Sequence, residues 1–209
     1  MDSVTQLALG AAVGEATLGR KVGNKAMWWG AVCGTIPDLD VFISFSDPVT
    51  SFISHRSFSH SLFTLALLTP CLVWLIRRLH PQLAEHKRGW MTLVYLALAT
   101  HVLLDSFTAY GTQIFWPISS HPVMWSTIFI IDPLYTVPLL IGVVATLIMS
   151  REKGLGHTAN TVGLIVSTLY LSWTVIAKFH VEHFAQERLA TQQVPYTQML
   201  VQPTPLNSL

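Results

Sequence analysis

Four long apolar runs decide what this chain can become. Residues 61–79, 90–108 and 127–149 each offer close to a membrane's thickness of mostly apolar residues, and 159–177 is only slightly more polar. A helix needs about 20 such residues to cross the hydrocarbon core of a bilayer. Only 11% of the 209 residues are charged, where a soluble domain carries about 25%. The N-terminal part differs. Residues 4–18 and 26–36 are short apolar runs split by "GRKVGNK", which reads as a hairpin of short or tilted helices. "GAAVG" at 10–14 has the small-xxx-small spacing that lets helix backbones approach closely. The expected fold is all-α: a polytopic membrane helical bundle of about five to six transmembrane or half-membrane helices. It spans 1–178, and a more polar tail, 179–209, ends in an extended "QPTPLNSL".

The remaining composition removes alternatives. A net charge of +1 gives no electrostatic case for nucleic acid. Arg20, Lys21 and Lys25 follow the first apolar run instead of preceding it, unlike a secretory signal. Cys33 and Cys71 lie inside apolar segments and form no zinc pattern, so buried thiols are expected.

Basic residues set an orientation. Alternating helices place Arg20, Lys21, Lys25, Arg77, Arg78, Lys87, Arg88, Arg151 and Lys153 on one side, and only Arg56, Lys178 and Arg188 on the other. The first side is expected to be cytoplasmic. Loops 37–60 and 109–126 and the tail then face the periplasm or exterior.

That outer side collects most of the acids and histidines. "TIPDLD" supplies Asp38 and Asp40, "SHRSFSHS" supplies His55, Arg56 and His60, and "HVLLDSFTAYG" supplies His101 and Asp105. His101 and Asp105 are spaced i, i+4, on one helical face. Ionisable groups in apolar segments are expensive and face the protein interior or a cavity. An isolated Asp38 would read as a cap or an Asx turn, and an isolated His–Asp pair as a packing contact. Carboxylates together with imidazoles form the ligand set of zinc, manganese or iron. A hydrolytic centre also needs an open position for water. Arg56 adds a permanently charged fork for oxyanions, or an anchor for lipid headgroups. Glu15, inside the first apolar run, is a functional candidate by default; snorkelling towards Arg20 and Lys21 is its plain alternative. Asp132 stands near the start of the 127–149 segment. Tyr110, Phe115 and Trp116 suit a headgroup-level belt, and His180 and His183 a surface face.

"PDLD", "HRSFSHS" and "HVLLDSFTAYGTQIFWP", in that order, resemble the YdjM-like family of bacterial inner-membrane proteins, described as membrane-bound metal-dependent hydrolases. The resemblance covers most of residues 1–150. It implies a divalent metal, zinc or manganese, held by Asp38, Asp40, His55, His60, His101 and Asp105. Many relatives carry a histidine where this chain has Gln6, leaving Gln6 or Glu15 as substitutes. The expected function is an integral inner-membrane hydrolase, multi-pass, with membrane lipids as surroundings and a lipid or lipid-linked phosphoester as substrate. Asp40 or Asp105 would act as base and His55 or His60 as proton donor, with Arg56 and Glu15 as further candidate catalytic groups. The alternative is a metal-ion carrier or transporter built on the same cluster. A structural metal protein is a further possibility. A metal-free phosphatase with a histidine nucleophile is disfavoured, because no P-S-G-H stretch is present.

Overall fold

The computed structural model describes residues 1–42, 47, 56–149 and 154–205. Among these residues six helices form the fold: α1 (Ser3–Gly14), α2 (Asn24–Thr35), α3 (Leu62–Leu79), α4 (Lys87–Ser106), α5 (Pro133–Ile148) and α6 (Leu155–Thr191). A π-helical turn, Glu15–Gly19, and a last α turn, Arg20–Val22, extend α1. Tight 3-10 turns lie at Pro37–Phe42, Phe58–His60 and Pro81–His86. No strand occurs among the described residues, only an isolated bridge between Thr112 and Val123.

Side-chain caps fix where three helices begin. Asp2 accepts from the backbone N–H of Val4 and Thr5 at 3.1 and 3.0 Å, and starts α1. Ser61 accepts from Phe63 N–H at 3.2 Å and starts α3. Asp132 accepts from Leu134 N–H at 3.0 Å, with Pro133 in the first helical position, where its missing N–H costs nothing. The other oxygen of Asp132 accepts from the Tyr170 hydroxyl at 2.8 Å, so this acid is a cap tied to α6.

Helices α1 and α2 pack backbone against backbone. A Cβ on Gly10 would overlap the carbonyl of Gly30, one on Gly14 the carbonyl of Ala26, and one on Gly34 the backbone of Gln6 and Gly10. The expected 10–14 motif thus meets a second one, Gly30 and Gly34, on α2. Helix α4 crosses this hairpin and buries Trp90, Leu93, Val94, Leu98 and Val102 completely, with Leu65, Val73 and Ile76 of α3 packed on the same core. A second core joins α1 to α5 through Ala8, Ala12, Tyr135 and Leu139.

The structure refines the sequence reading at three points. Among the described residues, two of the four long apolar runs, 61–79 and 159–177, lie in helices long and apolar enough to cross a membrane. The Asp132 cap delays α5 to Pro133 and leaves it 16 residues. Helix α4 has 20 residues, but Lys87 and Arg88 occupy its start and His101 and Asp105 its end. Cys33 is buried as expected, whereas Cys71 is exposed; both are free. The change in composition after Lys178 falls inside α6, which continues to Thr191.

Candidate metal centre

Chain ends of several helices meet at one level: the C-terminal ends of α2 and α4 and the N-terminal ends of α1, α3 and α5. Asp38 comes from the turn that stops α2, His60 from the turn that precedes α3, and His101 and Asp105 from the last two turns of α4. One ligand atom from each of these four residues lies within 4.8 Å of the others. His60 Nε2 is 3.3 Å from Asp105 Oδ2 and 3.6 Å from Asp38 Oδ1. His101 Nε2 is 3.4 Å from Asp38 Oδ1, 3.6 Å from Asp105 Oδ2 and 3.4 Å from His60 Nε2. Nitrogen and oxygen ligands at 2.0–2.1 Å around a tetrahedral ion are themselves about 3.3–3.4 Å apart. The spacings therefore fit a metal ion.

The outer hydrogen bonds point both imidazole lone pairs inwards. His101 Nδ1 is 2.6 Å from the carbonyl of Gly34, which can only accept, so Nδ1 carries the proton and Nε2 is left as an acceptor. His60 Nδ1 lies 3.0 Å from Ser59 Oγ. Ser59 in turn donates to Asp40 Oδ2 at 2.6 Å, so its oxygen is available to accept the His60 proton. Two imidazole lone pairs and two carboxylates then converge. Asp105 Oδ2 is buried and no hydrogen bond reaches it. Acceptors gathered away from water are costly without a cation. A histidine whose second nitrogen donates to a carbonyl or a carboxylate is the usual support of a metal ligand.

The electrostatics agree. Burial disfavours an imidazolium at His60, yet the neighbouring Asp105, Asp38 and Asp40 carboxylates outweigh it and raise its pKa. Burial likewise disfavours the Asp38 carboxylate, but the adjoining His101 and His60 rings hold it below the usual carboxylate range. The negative potential that favours a proton on His60 also favours a metal, and the two compete for the same lone pair.

Asp105 Oδ1 is occupied by other partners: Gln6 Nε2 donates to it at 3.0 Å, and the Met1 amino group lies against it. Arg56 completes the surroundings. Its Nε is 3.3 Å from Asp105 Oδ2, its Nη1 donates to Thr108 Oγ1 at 3.1 Å, and its Cζ lies 4.5 Å over the Tyr110 ring. Its backbone has φ of +63°, unusual for a residue with a side chain. Two backbone hydrogen bonds hold it there: its N–H donates to Asp40 Oδ2 at 3.2 Å, and its carbonyl accepts from Gln113 N–H at 3.0 Å.

The sequence-predicted residues therefore divide. Asp38, His60, His101 and Asp105 come together as donors. Asp40 stands behind His60, 3.6 Å from Nδ1, the nitrogen on the far side of the cluster. Arg56 is 5% exposed, so it is directed at Asp105 from inside the protein instead of reaching out to headgroups. His55 lies outside the described residues. Glu15 is not brought to the cluster. It is nine residues beyond Gln6, about 13 Å along a helix, and its carboxylate faces His157 Nδ1 at 3.4 Å. Gln6 is at the centre, as a partner of Asp105. Sequence reasoning missed Ser59, Thr108 and Gly34. The first two were legible only as polar neighbours of better candidates, and Gly34 acts through its carbonyl, which no side-chain pattern reveals.

Uncharacterized protein YfhP of Bacillus subtilis (strain 168) is 32% identical over 143 residues, which cover 64% of this chain and 42% of the relative. The chain thus matches less than half the length of that curated relative. No solved structure matches it. The model of the family described as "YdjM inner membrane protein" matches residues 1–181, and it takes in every residue of the cluster. With its apolar helices and its four-residue His/Asp group, the chain belongs to the YdjM inner membrane protein family.

Proposed function

We propose that this chain is a multi-pass membrane hydrolase that uses a divalent metal, zinc or manganese, to cleave an anionic ester, with a phosphoester the leading class. The observation that carries this reading is Arg56. A metal needed only for architecture has no use for a guanidinium buried beside one of its ligands, where like charges repel. An anionic substrate gives that charge a purpose. The planar fork matches the oxygens of a phosphate in pairs. Access supports the same reading: the His60, His101 and Asp105 side chains are fully buried, while the Asp38 side chain is 25% exposed, so the cluster reaches the surface at Asp38.

A divalent ion supplies Lewis acidity, activating water and polarising the ester oxygen. The chain does the rest. Asp40 and Ser59 hold the His60 ring in one tautomer. Gly34 does the same for His101. Gln6 fixes the Asp105 carboxylate, and Arg56 receives the negative charge of the substrate. In Arg56→Lys, bound metal is expected to stay unchanged while turnover per metal falls at least tenfold, about 1.4 kcal/mol. The check is a screen of lipid and water-soluble phosphoesters with metal content measured on each sample. Metal-loaded wild type that hydrolyses no ester, or Arg56→Lys with full turnover, sinks this reading; the first result favours an ion carrier.

The orientation follows from the nine-to-three charge bias. The cluster faces outward, and the turn containing Glu85 faces the cytoplasm. With Cys71 replaced by serine, His121→Cys and Glu85→Cys are expected to react with a membrane-impermeant thiol reagent from opposite sides. Labelling from one side only contradicts the orientation and the multi-pass count together.

A further inference from the structure

A cavity of about 320 Å³ runs between the Pro37–Phe42 turn and the first two turns of α3, lined by Pro37, Leu39, Asp40, Phe58, Leu65 and Leu68. We infer that this groove holds one hydrocarbon chain of a membrane lipid whose anionic headgroup reaches the metal centre. The inference rests on the hydrolase reading for what happens to the headgroup, but not for the seating of the chain.

Three observations select this occupant. The first is polarity along the groove. Its lining is apolar except at Asp40, Ser59 and Thr64, and Asp40 and Ser59 are the pair behind His60. The lining residues Pro37 and Leu39 flank the donor Asp38, so a molecule lying in the groove passes beside the one donor that is exposed. The second is depth. Helix α3 is one of the two helices long and apolar enough to cross a membrane. Leu65 and Leu68 sit about 5 to 9 Å along it from its start at 1.5 Å per residue. The groove thus leads from the level of the cluster towards the hydrocarbon. The third is its rim. Leu39 is 54% exposed and Phe58 39%. A soluble ligand would have to cross that apolar rim from water, whereas a lipid already in the bilayer can enter sideways. The size lies at the lower end of ligand pockets.

The test uses the full chain with its metal, in lipid nanodiscs, and a hexadecyl phosphate carrying a photoreactive diazirine on its chain. Cross-linked peptides are mapped by mass spectrometry. Labelling is expected to concentrate within residues 36–40 and 58–68, to be displaced by unlabelled hexadecyl phosphate, and to fall at least fivefold in Leu68→Trp with metal content unchanged. Leu39→Trp, at an exposed position, blocks the same groove and serves if Leu68→Trp does not fold. Labelling spread evenly over the lipid-facing helices, or unaffected by either tryptophan, overturns the inference. So does a groove that takes no probe. Groove labelling by a protein that hydrolyses nothing upholds the chain site and removes the hydrolase reading; hydrolysis with no groove labelling does the reverse.

Discussion

In His101→Ala, bound metal is expected to fall from about one ion per chain to less than about a tenth of that, because a tetrahedral site loses one of its few protein ligands. The side chain is completely buried and has a single orientation, with Nδ1 on Gly34 and Nε2 among the other donors. Among the described residues the other imidazole at the cluster, His60, is already one of the four donors. Truncation also leaves a cavity, so an isosteric variant separates the two effects. Asp105→Asn keeps the volume but puts a neutral amide where Oδ2 approaches both Nε2 atoms. Both variants are expected to lose metal, and Asp105→Asn to retain the helical content of the wild type. His183→Ala, on an exposed histidine paired only with Glu187, is expected to retain full metal. Elemental analysis of the four proteins, purified without chelator, is the check. Stoichiometric metal in His101→Ala and Asp105→Asn would falsify the assignment of these ligands.

The second large effect lies in the hairpin. Gly30→Leu places a side chain where the carbonyl of Gly10 and the Cα of Gly14 already lie. Both obstacles are backbone, so no rotamer change relieves them and the helices must separate. The expected loss is about 3 kcal/mol, the upper part of the range for overpacking, or roughly a 10 °C fall in the midpoint of thermal unfolding in detergent. Metal binding should weaken as well, although residue 30 touches no ligand. Gly34, one turn on, supplies the carbonyl that orients His101, and Asp38 follows in the next turn. Val32→Leu, on an exposed position of the same helix, is expected to change neither property. An unshifted midpoint in Gly30→Leu would show that the two backbones are not in contact.

These two sites show why some features were legible in the sequence and others were not. Helix positions follow from apolar runs, because burial in lipid or core is roughly additive along a segment. The starts of α1, α3 and α5 depended instead on single residues, Asp2, Ser61 and Asp132, whose side chains bond their own backbone. For that reason α5 begins at Pro133, and the apolar stretch from 127 stays outside it. The ligand set was half legible by spacing. His101 and Asp105 share a helical face at i, i+4, whereas Asp38 and His60 meet them only through the fold. Asp40 and Asp38 looked equivalent in "PDLD". The tight Pro37–Phe42 turn sends one carboxylate to the cluster and the other to Ser59 and the Arg56 N–H. Arg56 was legible as a fork for an oxyanion or as an anchor for headgroups, but its direction was not. Its positive φ, stabilised by Asp40, turns the guanidinium inward, and no composition rule contains that information.

X-ray absorption at the metal edge of the purified wild-type protein tests the centre most directly. A first shell of nitrogen and oxygen alone, at about 2.0–2.1 Å if the ion is zinc, with outer scattering from two imidazole rings, is the expected result. A sulfur neighbour, a shell without imidazole, or protein isolated from metal-replete membranes with no stoichiometric ion at all would contradict it.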